Sequence, residues 1–124
     1  MRYDPNRPVV AEGWSQLDED EQIELVAEYH RRARVRLPNL RLHADLHVTV
    51  ENQVLLGDET PVAAAIQRLM GKGLDRHDAI HAVASVLSGV MYDAVTRKEA
   101  GDVKAAYCSE VARLTAEGRR SQAD

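Results

Sequence analysis

Apolar residues recur every three or four positions along most of this chain, the spacing of one helical face, and no stretch reads convincingly as a strand. The polar punctuation between them cuts the sequence into about five helices. The first is expected at about 16 to 36: Ser15 or Asp18 can cap its start, each with an acid three residues on, and Pro38 stops it. Its apolar stripe is Leu17, Ile23, Val26, Ala27, His30, Ala33 and Leu37. The second runs from about 39 to 56, with Leu42, Leu46, Val50 and Val54 inward and Gly57 as its stop. The third takes Thr60 as N-cap and Pro61 as its first residue, buries Val62, Ala65, Ile66 and Leu69, and ends before Gly71. The fourth starts at Asp75, whose carboxylate can cap it, and carries Ile80, Val83, Ala84, Leu87, Val90 and Met91 to about 96. The fifth, about 98 to 117, is amphipathic through Val103, Ala106, Tyr107, Val111 and Leu114, and Gly101 weakens its start by about 1 kcal/mol relative to alanine.

Short connections between amphipathic helices favour antiparallel neighbours, so the expected fold is all-α: a compact up-and-down bundle with the fifth helix across or alongside it. The absence of phenylalanine and the many alanines imply close helix packing. At 124 residues the chain fits a single helical domain over 1–124, with an ordered core at about 14–117. Residues 1–12 and 118–124 are polar or Pro-rich with little to bury, and both ends are expected to fray.

Composition narrows the class further. The apolar share of 44% and charged share of 29% are those of a soluble globular protein. No apolar run approaches the roughly 20 residues that cross a bilayer, so no membrane partner is expected. The start MRYDPNRPVVAEGW lacks the apolar segment of a secretory signal. A single cysteine, Cys108, excludes an internal disulfide and fits a reducing cytoplasm; beside Tyr107 on an amphipathic face it reads as a buried, inert thiol. The net charge of −4 disfavours nucleic-acid binding. The one basic run, His30 to Arg36, reads as a solvated last helical turn, where cations suit the helix dipole. The apolar faces of the second and fourth helices are wide enough that a homodimer is plausible.

Candidate chemistry lies in the histidines. Four of the five fall in pairs at helical spacing, His43 with His47 and His77 with His81, and Glu51 continues the first row. Residues four apart share a helix face with Cβ atoms roughly 5–6 Å apart, which is how a helical protein offers imidazoles to a divalent metal from two helices. His43 and Glu51, however, lie roughly 12 Å apart along a straight helix, too far to share one ion at bond lengths of about 2 Å. The favoured set for one ion is therefore His43, His47, His77 and His81, with Glu51 left to orient a histidine or to move a proton as the catalytic base. The rows border the apolar stripes, and a purely structural role for them is the competing reading. His30, on the first helix's stripe, reads as a satisfied core-edge histidine. Gly71-Lys72-Gly73 is a helix C-cap and turn, since no phosphate-binding glycine motif is present. Ser85 and Ser88 continue the row of the fourth helix towards Tyr92, but no oxyanion-hole loop accompanies them. Trp14 reads as an apolar anchor for the first helix.

The segments YHRRARVRLPN, LHADLHVTVENQ and PVAAAIQRLMGKGLDRHDAIHAVASVL together resemble a family of small bacterial proteins labelled as a domain of unknown function, with the pattern HxxxHxxxENQ followed by GxxRHExxH. The resemblance spans roughly residues 14 to 95 and implies a helical fold and a bacterial, cytoplasmic setting. Asp78 stands where that pattern has glutamate. The chain is also similar to hemerythrin-like di-iron bundles in its HxxxE (His47, Glu51) and HxxxH (His77, His81), with His30 in place of a single earlier histidine; their HxxxxD on the final helix is missing.

Three functions follow. The first is a metalloprotein binding a divalent transition metal, zinc or iron before manganese or nickel, with an open position where water is activated for an unknown small-molecule substrate. The second is a non-enzymatic interaction module, with Glu51, Asn52 and Arg76 as a recognition patch and the histidines tuning it with pH. The third is a metal carrier or sensor without turnover.

Overall fold

The computed structural model describes residues 2–97 and 102–115, and all the regular structure among them is helical. A single turn, α1 (Ala11–Trp14), precedes α2 (Glu19–Arg32) and α3 (Leu40–Leu55); a 3₁₀ turn at Gly57–Glu59 leads to α4 (Val62–Gly71), α5 (Arg76–Arg97) and α6 (Val103–Arg113). The outer residues of the expected fifth helix, 98–101 and 116–117, and the 118–124 tail lie outside the described residues.

Asp18 and Asp75 cap their helices as the sequence reading expects, whereas the third helix, α4, starts at Val62 with Pro61 before it and no side-chain bond from that position, in place of the expected Thr60 cap and Pro61 first position. Asp18 accepts from Glu21 N at 2.8 Å while Glu21 accepts from Asp18 N at 3.1 Å, a complete capping box for α2. Asn39 accepts from Leu42 N at 3.0 Å to open α3, and Asp75 accepts from Asp78 N at 2.7 Å ahead of α5. The stop of α2 differs from expectation. Arg34 takes φ 60°, so that Val35 N reaches His30 O at 3.0 Å and Arg34 N reaches Arg31 O at 3.0 Å. This pair of bonds ends the helix at Arg32, before Pro38 can act, and leaves Ala33 exposed. The same pair recurs after α4, where Gly73 (φ 103°) is the left-handed residue, as read for Gly71-Lys72-Gly73.

α2 packs on α3, α3 on α4 and α5, and α6 on α4 and α5. Two apolar clusters result. One joins Val50 to Val62, Ile66 and Leu69 of α4, Ile80 and Val83 of α5, and Tyr107 and Val111 of α6. The other joins Ala44 and Val48 to Ile23, Val26 and Ala27 of α2, with Trp14 and Tyr3. Helix α3 supplies both clusters, and at 3.6 residues per turn the row His43, His47, Glu51 falls between its two apolar rows. The buried face of α3 is thus centred near His47, one position on from Leu46, which leaves Leu42 50% exposed where an inward residue was expected.

Other expectations also give way. Tyr3 is only 4% exposed, so the N-terminal residues do bury an aromatic ring. Met91 is 48% exposed while the adjacent Val90 is buried in the first cluster, so the buried face of α5 passes through Val90 and not Met91. Cys108 is half-buried against the first cluster rather than fully enclosed. The stretch Arg76–Thr96 is, by length and composition, long and apolar enough to cross a bilayer, contrary to the sequence reading. Its apolar side chains Ala79, Ile80, Ala82 and Val83 are buried inside the bundle.

Candidate metal centre

Three helices converge on one cluster of imidazoles. The last turn of α2 supplies His30, the first turn of α3 His43 and its middle His47, and the first two turns of α5 His77 and His81. Ring nitrogens of His30, His47, His77 and His81 all lie within 4.8 Å of one another. His81 Nε2 is 2.9 Å from His47 Nε2 and 3.1 Å from His43 Nε2, and His43 Nε2 is 3.2 Å from His30 Nε2. Two nitrogens each about 2.1 Å from a common ion lie about 3.0 Å apart at a right angle and about 3.4 Å apart at the tetrahedral angle. The His47–His81 spacing suits two ligands of one ion, and His30 and His77 each bring a ring nitrogen within 4.8 Å of both.

The outer nitrogens decide where the lone pairs point. His30 Nδ1 lies 2.8 Å from the Val26 carbonyl, which can only accept, so His30 carries its proton there and turns a lone pair inward at Nε2. His47 is oriented through a longer chain. The Tyr3 hydroxyl donates to Glu51 Oε2 at 2.5 Å and lies 3.2 Å from His47 Nδ1. Its proton being committed to the carboxylate, Tyr3 accepts from His47 Nδ1–H, and His47 Nε2 also becomes a lone pair facing the cluster. With His30 and His47 both acceptors, His43 and His81 must each donate; their own contact at 3.1 Å then sets two N–H groups against each other. Hydrogen bonding cannot satisfy all three contacts. His77 Nε2 is buried with no hydrogen-bond partner among the described residues.

Burial favours the neutral form of three of these rings, His43, His47 and His77. It pushes His43 down to about 4, with His30 and His77 adding to the effect. It holds His47 far below the usual histidine range, helped by the four other imidazoles. His77 is also lowered by burial and by His30, against the opposing pull of Asp75, Asp78 and Asp4. Neutral imidazole is the form that ligates. Tyr29 closes one side, edge-on to His30 and His77 at centroid distances of 5.2 and 5.7 Å. The other side is open: His43 and His81 lie in a surface groove with Ser85, Ser88, Tyr92 and Asp93.

Glu51 is fully buried, and its oxygens are held by Arg76 at 2.6 and 2.9 Å as well as by Tyr3. Burying this pair is costly, and removing one partner alone would cost about 3–5 kcal/mol. Its neighbours in the ENQ run fasten α3 elsewhere: Asn52 bridges Trp14 Nε1 and Gln22, while Gln53 accepts from the Tyr107 hydroxyl at 2.5 Å. Gln22 in turn donates to Trp14 O at 2.9 Å. With Glu51 and Arg76 at 0% and 4% exposure, the exposed patch required by the interaction-module reading is not formed from these residues.

His47, His77 and His81 thus meet as the sequence suggested, and His43 sits beside them at the groove. Sequence reasoning set aside His30, which is fully buried within the cluster. The available signal was a titratable ring on the stripe of Ile23, Val26 and Ala27. Asp78, which departs from the glutamate of the family pattern, is exposed in the first turn of α5 and does not belong to the cluster.

A family model described as Domain of unknown function (DUF1841) matches residues 11–113. The chain belongs to this family. The matched span contains all five histidines, Glu51 and Arg76, and begins after Tyr3. No curated protein and no solved structure matches the chain.

Proposed function

We propose that this protein binds a divalent transition metal, zinc or iron, through His30, His47, His77 and His81, with His43 at the groove side of the ion. The observation that carries this reading is the set of inward nitrogens whose lone pairs and protons cannot all be paired with one another; a cation in their midst uses the lone pairs and removes the conflict. Imidazole donors suit zinc and iron, and also nickel and copper. Their neutrality leaves the ion's charge uncompensated, because Glu51 is already paired with Arg76. An anionic ligand, or water deprotonated to hydroxide, is therefore favoured at the groove, which is the arrangement needed for metal-assisted hydrolysis. Glu51 serves here to hold Tyr3 and so His47, rather than to take a proton from water.

Elemental analysis of protein purified without a histidine tag is expected to find about one ion per chain, or to find one after incubation with zinc or ferrous iron. His30→Ala and His81→Ala should each remove most of it, whereas His43→Ala should retain it. Retention by His30→Ala with loss in His43→Ala would restore the set confined to α3 and α5. If neither zinc, iron, manganese nor nickel binds the wild-type chain, the histidines are structural.

A further inference from the structure

Residues 2–10 have no helix of their own, yet they are fastened at several points to the residues that surround the imidazoles. Arg76 Nη1 donates to Pro5 O at 3.0 Å and to Arg7 O at 3.3 Å. Asn6 Oδ1 accepts at 3.1 Å from His77 N, one of the first-turn amides of α5 that the helix itself leaves unpaired. Tyr3 inserts its ring between Trp14, at 5.9 Å, and Tyr29, at 6.2 Å, and its hydroxyl joins Glu51 to His47. One short segment therefore touches the backbone of one histidine, the outer nitrogen of a second, and the aromatic wall of a third.

Resting on the metal reading above, we infer that residues 2–10 act as a strap whose order is coupled to metal occupancy, with Tyr3 as the positioning residue for the ligand His47. The physical reason lies in the tautomer. While Tyr3 gives its proton to Glu51, its oxygen can only accept, and His47 must keep its proton at Nδ1. Take the hydroxyl away and the imidazole is free to carry the proton at Nε2, the atom that faces the ion, and free to rotate. Coupling is reciprocal: an ion that fixes His47 and His77 must also steady the segment fastened to them, and a strap that opens must weaken the site.

The test measures zinc affinity and the cobalt(II) absorption spectrum of wild type and Tyr3→Phe, together with hydrogen exchange of residues 2–10 with and without zinc. Loss of an outer-shell partner is expected to lower affinity about 10–100-fold and to shift the cobalt bands, with circular dichroism unchanged. In wild type, zinc should slow exchange in residues 2–10, and in Tyr3→Phe it should do so far less. Asn6→Ala, at an exposed position, releases the strap at His77 without disturbing the core; it should weaken zinc binding about fivefold, the value of one hydrogen bond. A wild type that binds zinc, with Tyr3→Phe and Asn6→Ala both within twofold and zinc-independent exchange in residues 2–10, overturns the strap and leaves the metal site standing. A wild type that binds no metal overturns the metal reading and the strap with it.

Discussion

The buried Nε2 of His77 lacks a hydrogen-bond partner among the described residues, although such a group ordinarily costs about 1–3 kcal/mol. Desolvation also holds His43, His47 and His77 below their ordinary range and keeps them uncharged. The metal-free protein should therefore be sensitive to acid. In the unfolded chain these histidines take up protons below about pH 6.5, whereas the folded chain resists until much lower pH, about 4 for His43. Unfolding then binds protons, so stability is fully present above about pH 6.5 and is lost as pH falls towards 4. Urea titrations in chelator at pH 7.5, 6.0 and 5.0 check this. Equal midpoints at all three would show the rings to be solvated.

At the scale of single elements, the sequence marks a boundary wherever a capping side chain or a glycine stands at it, as Asp18, Asp75, Gly57 and Gly73 do. Asp18, Asn39 and Asp75 each accept a backbone N–H, because a short polar side chain before a helix has few other uses. The end of α2 carries no such mark. Arg34 occupies a left-handed position that glycine takes at the end of α4, and a non-glycine residue there costs about 1 kcal/mol. Arg34→Gly is expected to raise stability by about 0.5–1 kcal/mol, because the turn is already formed and the side chain is exposed. Thermal unfolding of the variant checks it, and a lowered midpoint would mean that Arg34 contributes something the backbone turn does not explain. Helix α3 teaches the related lesson about faces. Its Leu42, Leu46, Val50 and Val54 stripe is real but incomplete; Ala44 and Val48 form a second row, and the histidine row between the two is enclosed from both sides.

For the whole molecule, the imidazole cluster is assembled from α2, α3 and α5, so the proposed binding of an ion would be tied to the fold. A ligand that binds only the folded state stabilises it by about 2.7 kcal/mol at a hundredfold excess over Kd, which for a chain of this size raises the melting temperature by about 10 °C. Differential scanning fluorimetry with zinc should show that rise, and chelator should reverse it; a midpoint insensitive to both would separate the histidines from any ion. The sequence by itself determined the all-helical class, the positions of the main helices, the buried set of α4 and the pairing of His77 with His81, because caps and three-to-four spacing are local properties of the chain. It also marked His47 and Glu51. Only the tertiary structure decided that His30 belongs with them, that Glu51 faces Arg76 and Tyr3, and that the N-terminal residues reach the cluster. Those partners are 25 to 48 positions apart in the chain for Glu51, and no periodicity along a single helix records which face a second helix will cover.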